Sequence, residues 1–102
     1  MRLQDKVAII TGGGSGQGRA TSLIFAREGA KVIVVDWNEQ GGEETIQLIK
    51  QSNADAEAVF IKTDVSDENS VKEMVNTVYN RFNRIDILFN NAGNWLFFHF
   101  SI

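Results

Sequence analysis

Four short apolar runs separated by three amphipathic segments constrain the fold of this chain more than any other feature. Each run is a nearly continuous series of branched apolar residues, which is typical of a strand buried on both faces. Each intervening segment carries apolar residues at helical spacing. The predicted strands are residues 6–12, 31–36, 57–64 and 85–93, and the predicted helices are residues 16–28, 38–51 and 66–82.

This alternation predicts parallel strands, because each helix returns the chain to the same end of the sheet. We therefore expect an α/β fold, an open doubly wound (Rossmann-like) parallel sheet. Its four strands should lie in the order 3-2-1-4 with three crossover helices, two on one face and one on the other. Residues 1–93 should form this one partial domain, and residues 94–102 (NWLFFHFSI) a separate apolar tail.

The composition excludes several classes of protein. With 43% hydrophobic residues and a net charge of −3, the chain is a soluble globular protein without the basic face that nucleic acid requires. It has no cysteine, so disulfides and thiolate metal sites are excluded. The polar start MRLQDK and the lack of a membrane-length apolar run indicate a cytoplasmic protein without a membrane partner.

A glycine-rich loop, TGGGSGQG at residues 11–18, joins the first predicted strand to the first helix. Such a position favours an anion, because backbone N–H groups and the helix dipole point at it. A phosphate loop of the nucleotide hydrolases would need Lys-Ser/Thr after Gly18, where Arg19-Ala20 stands. The Gly-x-Gly-x-x-Gly spacing is also absent. An S-adenosylmethionine methyltransferase would normally have an acid at the position of Gly12, so that alternative is less favoured.

The loop does match Thr-Gly-x-x-x-Gly-x-Gly, and three further motifs follow it at the ends of the next three predicted strands. With them the chain resembles the short-chain dehydrogenase/reductase family over about residues 5 to 93. The motifs are Thr11, Gly12, Gly16 and Gly18 in the loop, Asp36, Asp64-Val65, and NNAG at residues 90–93.

The resemblance implies a dinucleotide cofactor whose pyrophosphate lies against the loop. The residues implied there are Gly12, Ser15, Gly16, Gln17 and Gly18. Gln17 departs from the apolar residue that the family usually has at this position.

Asp36 is the residue that selects among dinucleotides. A carboxylate at the end of the second strand accepts hydrogen bonds from the adenosine ribose and repels a 2′-phosphate. Ser15 and Trp37 occupy the positions where family members that use NADP place a basic residue. We therefore expect NAD to be preferred over NADP.

The adenosine side is implied by the two later motifs. Asp64 and Val65 would contact the adenine ring, although a helix-capping role for Asp64 is an alternative. Asn91, Ala92 and Gly93 would line the adenosine.

The catalytic residues of the family are not found in this chain. The family uses a tyrosine four residues before a lysine, but here Asn83 stands four residues after Tyr79, the one tyrosine. His99 is not expected to replace them. We therefore expect the NAD-binding portion of an oxidoreductase that transfers hydride between NAD(H) and an alcohol or carbonyl in its full-length form, inactive as this truncated chain. The alternatives are a non-enzymatic isoform or fragment that associates with a full-length relative, and a methyltransferase fragment.

A last expectation concerns association. The fourth strand should form an unpaired edge, and the sheet should be covered by one helix only on one face. We therefore expect self-association through the sheet edge and the apolar tail.

Overall fold

The structure, a computed structural model, describes residues 2–91 of the 102-residue chain. Strands and helices alternate along it, close to the predicted bounds. The elements are β1 (Val7–Thr11), α1 (Gly16–Arg27), β2 (Lys31–Asp36), α2 (Glu39–Ser52), β3 (Ala58–Lys62), α3 (Glu68–Phe82) and β4 (Ile87–Phe89).

The four strands form one parallel sheet in the order β3-β2-β1-β4, which confirms the predicted topology. β1 and β2 lie at the centre, and every residue of β1 is buried. β4 pairs with β1 through only three residues and is half-buried along its length. It ends earlier than predicted: beyond Phe89 the Asn91 N–H donates to the side chain of Thr11 at 2.9 Å.

Side chains of the central strands alternate between two cores, one on each face of the sheet. On one face Ala8, Ile10, Val32 and Val34 pack with residues of α1 and α2. On the other face, the core formed by residues 2–91 includes only one helix, α3. Its buried members are Val7, Ile9, Ile33, Val35, Val71, Met74 and Val78.

Two glycines bring α2 close to its neighbours. Gly41 and Gly42 lie inside α2, where glycine is unfavourable, yet the helix runs unbroken over 14 residues and buries both. A Cβ at Gly41 would lie 2.6 Å from the carbonyl oxygen of Gly14, and one at Gly42 would overlap the ring of Phe60. The glycines therefore allow α2 to pack directly against the glycine-rich loop and β3.

None of the helices within residues 2–91 is long and apolar enough to cross a membrane.

A carboxylate joins the start of β4 to the start of β1. Asp86 Oδ2 accepts the Val7 N–H at 2.9 Å, and the Asp86 N–H donates to the Val7 carbonyl at 2.9 Å. Arg84 donates to both carboxylate oxygens at 2.8 and 2.9 Å. The Arg84 hydrogen bond, followed by the Val7 N–H, holds the pKa of Asp86 below its ordinary value. Asp86 thus fixes the edge strand through interactions that require its charge.

The substitution Asp86→Asn tests this attachment. Because folding lowers the pKa of Asp86, its carboxylate stabilises the folded state above the ordinary carboxyl pKa. This stabilisation is lost as pH falls through the lowered value. We expect the variant to lose about 1–2 kcal/mol of unfolding free energy at pH 7, and progressively less below about pH 4. Urea unfolding at neutral and at acidic pH measures the loss of unfolding free energy under each condition. Asp55→Asn, at an exposed loop position, is the control. A loss that does not change with pH would contradict the assignment.

Candidate functional site

The segments that follow the four strands meet at one edge of the sheet, as parallel strands require. A cleft of about 230 Å³ opens there. Four residues that the sequence proposed for binding, Gly12, Asp36, Asp64 and Val65, all line it. Its other lining residues are Trp37, Thr63 and Ser66.

Two glycines give the loop unusual backbone geometry, one near its beginning and one at the first residue of α1. Gly12 has φ +64° and Gly16 has φ +53°, a region that residues with a Cβ rarely adopt. The space around Gly16 is open, so its glycine is required by the backbone and not by a neighbour. Ser15, Gly16 and Gln17 are exposed at the tip of the loop and the start of α1.

Gly18 is required for a different reason. It is buried in the first turn of α1, and a Cβ there would collide with the carbonyl oxygen of Gly12. The absence of a side chain at residue 18 therefore allows the start of α1 to lie directly against the end of β1.

The start of α1 has unused hydrogen-bond donors. The Arg19 N–H donates to the Ser15 carbonyl at 3.2 Å, the first bond of the helical ladder. By helix geometry the preceding N–H groups, those of residues 16–18, have no intrahelical partner. The side chain of the N-cap residue Ser15 makes no capping hydrogen bond, and the first turn carries no acid. The arrangement suits an anionic group.

Asp36 is held in a fixed orientation at the end of β2. Its Oδ2 accepts the Gly14 N–H at 2.9 Å, and its Oδ1 accepts the Asn38 N–H at 3.0 Å. The side chain is half-buried and lines the cleft. A carboxylate is thus placed within contact of the glycine-rich loop.

Asp64 closes the turn between β3 and α3. Its Oδ1 accepts from the Ser66 hydroxyl at 2.6 Å and from the Ser66 N–H at 3.0 Å, and these bonds lower the pKa of the carboxyl. The helix cap is Asp67, whose carboxylate accepts the Asn69 N–H at 2.9 Å. The alternative in which Asp64 caps the helix is therefore wrong.

Trp37 forms an exposed wall of the cleft, with 65% of its surface accessible. The Lys62 ammonium lies 4.5 Å from the centre of its ring, within the range of a cation–π contact. The Trp37 ring thus carries a cation over one face and otherwise exposes apolar surface beside Asp36.

Thr11 connects the glycine-rich loop to the segment after β4. Its buried hydroxyl accepts the Asn91 N–H at 2.9 Å and lies 3.1 Å from Asn90 Oδ1, to which it can donate. Asn91 lies beside Gly12, so this predicted residue joins the site. Ala92, Gly93 and the tail at 94–102 lie outside the described residues. Within residues 2–91 no group of acids and histidine could hold a metal ion.

Sequence reasoning missed the contribution of α2 to this site. Thr45 of α2 is buried and donates its hydroxyl proton to the Gly13 carbonyl at 2.7 Å. Arg19 of α1 donates both to Thr45 and to the Gly14 carbonyl, so it joins α2 to the loop. The signal was available: small residues at 41, 42 and 45 on one side of a helix indicate close approach of another segment.

A larger groove of about 460 Å³ lies between α1 and α2. None of the residues that the sequence proposed for binding lines it. Its lining residues are Leu23, Ala26, Arg27, Ile49, Ser52 and Asn53.

A matched pair of substitutions separates the two requirements for glycine. Gly16→Ala places a Cβ in open space at positive φ, so we expect a loss of about 1 kcal/mol of unfolding free energy. Gly18→Ala instead places a Cβ against the Gly12 carbonyl, so we expect a loss of about 3 kcal/mol of unfolding free energy. Urea unfolding of both variants measures the difference. Equal losses would contradict the close approach of α1 to β1.

Comparison with known proteins adds independent information. A family model described as short chain dehydrogenase matches residues 6–100. An uncharacterized oxidoreductase from Bacillus subtilis is 48% identical over 92 residues, which are 90% of this chain and 33% of that protein. Levodione reductase from Leifsonia aquatica is 47% identical over 92 residues, 90% of this chain and 34% of that protein. The chain thus spans about a third of the length of these relatives.

Solved structures agree with the sequences. The crystal structure of levodione reductase superposes with a TM-score of 0.87 at 47% identity, covering 90% of this chain and 36% of that one. NAD⁺-bound xylitol dehydrogenase superposes with a TM-score of 0.86 at 34% identity, and the match covers 92% of this chain and 35% of that one. The methyltransferase alternative is not proposed. The chain belongs to the short-chain dehydrogenase family.

Proposed function

We propose that this chain is the NAD-binding portion of a short-chain dehydrogenase, which in its full-length form transfers hydride between NAD(H) and an alcohol or carbonyl compound. The observation that carries the proposal is the convergence of the glycine-rich loop, Asp36 and the Asp64-Val65 turn on one cleft. The family depends on nicotinamide dinucleotides, and a member from Burkholderia phymatum was solved in complex with NAD.

The start of α1 would bind the pyrophosphate. The exposed positions Ser15, Gly16 and Gln17 offer backbone N–H groups, and Ser15 adds a free hydroxyl. Gly12 and Gly18 permit the close packing that places these donors at the sheet edge. The positive end of the helix dipole is not neutralised by an acid in the first turn.

Asp36 would bind the adenosine ribose and set the preference for NAD over NADP. Both its oxygens already accept one N–H group each, and each retains a lone pair for a ribose hydroxyl. A 2′-phosphate would meet this carboxylate at close range. The Nη2 of the nearby Arg19 is directed at backbone carbonyls and lies 3.3 Å from Glu44, away from a 2′-phosphate, which supports the same preference.

The adenine would lie between the turn after β3 and the segment after β4. Val65 lines the cleft with an apolar surface, and Asp64 can still accept a hydrogen bond from the exocyclic amino group. Asn91, Ala92 and Gly93 would line the other side of the adenosine, as the family resemblance implies. Trp37 offers a further aromatic surface.

When bound, NAD supplies the electrophilic ring that accepts hydride. This chain would contribute binding and orientation alone. Its one tyrosine, Tyr79, is exposed on α3 and is followed four residues later by Asn83, so it does not form the family's tyrosine–lysine pair. We therefore expect the 102-residue chain to bind the dinucleotide without turnover, and its predicted cytoplasmic location stays a prediction.

Calorimetric titration with NAD and NADP tests the proposal. We expect the chain to bind NAD at least about tenfold more tightly than NADP, because a carboxylate opposes the 2′-phosphate. Asp36→Asn removes the charge at constant shape and should reduce this ratio, whereas Asp55→Asn should leave it unchanged. Equal or tighter binding of NADP by the unsubstituted chain would contradict the preference, and failure to bind either dinucleotide would contradict the function.

We also propose that the isolated chain self-associates through its sheet edge. β4 lies at one edge of the sheet, and its residues Ile87, Leu88 and Phe89 are only partly buried. Burying these residues against a second copy would remove apolar surface from water. Sedimentation velocity should show species larger than 11.4 kDa at micromolar concentration. A monodisperse monomer that binds no hydrophobic dye would contradict this proposal.

A further inference from the structure

The side chain of Arg19 lies between the glycine-rich loop and α2. Its Nη2 donates to the Gly14 carbonyl at 2.6 Å and lies 3.1 Å from the Gly41 carbonyl. Its Nε donates to the Thr45 hydroxyl at 3.0 Å. The guanidinium thus contacts the backbone of the loop, the backbone of α2 and a buried side chain at once.

Successive peptide planes of the loop are held by side chains. Thr45 donates to the Gly13 carbonyl at 2.7 Å, on the side of α2. No peptide bond among the described residues is cis, and in a trans peptide the N–H points opposite to the C=O. The Gly14 N–H, which shares this plane, accordingly donates to Asp36 at 2.9 Å.

The same geometry applies one residue further along. Arg19 binds the Gly14 carbonyl, and the N–H of Ser15 belongs to that peptide plane. The Ser15 N–H is therefore directed away from Arg19. Ser15 itself is exposed at the start of α1, beside the unpaired N–H groups of the first turn.

We propose that Arg19 is a positioning residue that acts through the peptide between Gly14 and Ser15. By fixing the carbonyl, it aims the Ser15 N–H at the pyrophosphate of the dinucleotide. The inference rests on the proposed function. In this role Arg19 acts through the loop backbone: its Nη2 is directed at the Gly14 and Gly41 carbonyls and its Nε at Thr45.

A positioning role requires the fork of the guanidinium and not only its charge. A lysine at residue 19 would keep the charge but offers a single nitrogen, so it cannot reach the loop and Thr45 together. If Arg19 acted only by attracting the phosphates, Arg19→Lys would bind like the unsubstituted chain. Under the positioning role, Arg19→Lys behaves like Arg19→Ala.

Two ligands separate positioning from a general loss of structure. ADP-ribose carries the pyrophosphate, whereas adenosine has none and would contact only the ribose and adenine residues. Titrations monitored by amide NMR shifts measure both ligands. We expect Arg19→Ala and Arg19→Lys to weaken ADP-ribose binding by about tenfold or more, the effect of misaligned hydrogen bonds to a charged group. Because adenosine lacks the pyrophosphate, its affinity should change by less than about twofold.

The matched control is Arg27→Ala, which removes the same charge from the last turn of the same helix. It should leave both affinities unchanged. Hydrogen exchange of the Gly14 amide in ligand-free protein gives a second readout, and it should accelerate in both Arg19 variants but not in Arg27→Ala.

The outcomes are distinguishable. Faster exchange at Gly14 together with a selective loss of ADP-ribose affinity supports the inference. Unchanged exchange, an equal loss for both ligands, or normal ADP-ribose binding by Arg19→Lys overturns it. Failure of the unsubstituted chain to bind ADP-ribose overturns the proposed function, and the inference with it.

Discussion

The close approach of α1 to the end of β1 is the constraint on which the rest of the site depends. The backbone at Gly18 lies against the Gly12 carbonyl, so the helix begins directly over the carboxyl edge of the sheet. β1 itself is buried on both faces and cannot shift to accommodate a side chain at this point. The parallel strands place Asp36 and the Asp64 turn at this edge. The contact of Gly18 with Gly12 places the first-turn N–H groups beside them.

Around that contact, polar groups hold the loop from several sides. Thr45 and Arg19 bind its carbonyls, and Asp36 binds its Gly14 N–H. Thr11, the first residue of the loop, accepts the Asn91 N–H and so joins the loop to the segment after β4. A loop with several glycines has little conformational preference of its own, so these bonds supply the order that binding needs.

The architecture could be predicted from sequence because its determinants are local. Branched apolar runs and helical periodicity gave the elements, and their alternation gave the parallel order. The Asp36 position followed from a motif at the end of a strand. The contacts of Thr45 with Arg19 and with the loop could not be predicted, because they join residues 26 and 32 positions apart, through a close approach that Gly41 permits but does not specify. Asp64 shows the same limit: spacing left capping and ligand binding open, and only the contact of Asp67 with Asn69 identified the cap.

The central claim is that the dinucleotide binds at the edge formed by the ends of β1, β2 and β3. Mapping of backbone amide NMR shifts on addition of NAD tests it most directly. The account predicts that the largest changes fall on residues 12–18, on Asp36 and Trp37, and on Asp64 and Val65. Changes concentrated instead on the groove between α1 and α2, at residues such as Leu23 and Ile49, would contradict it.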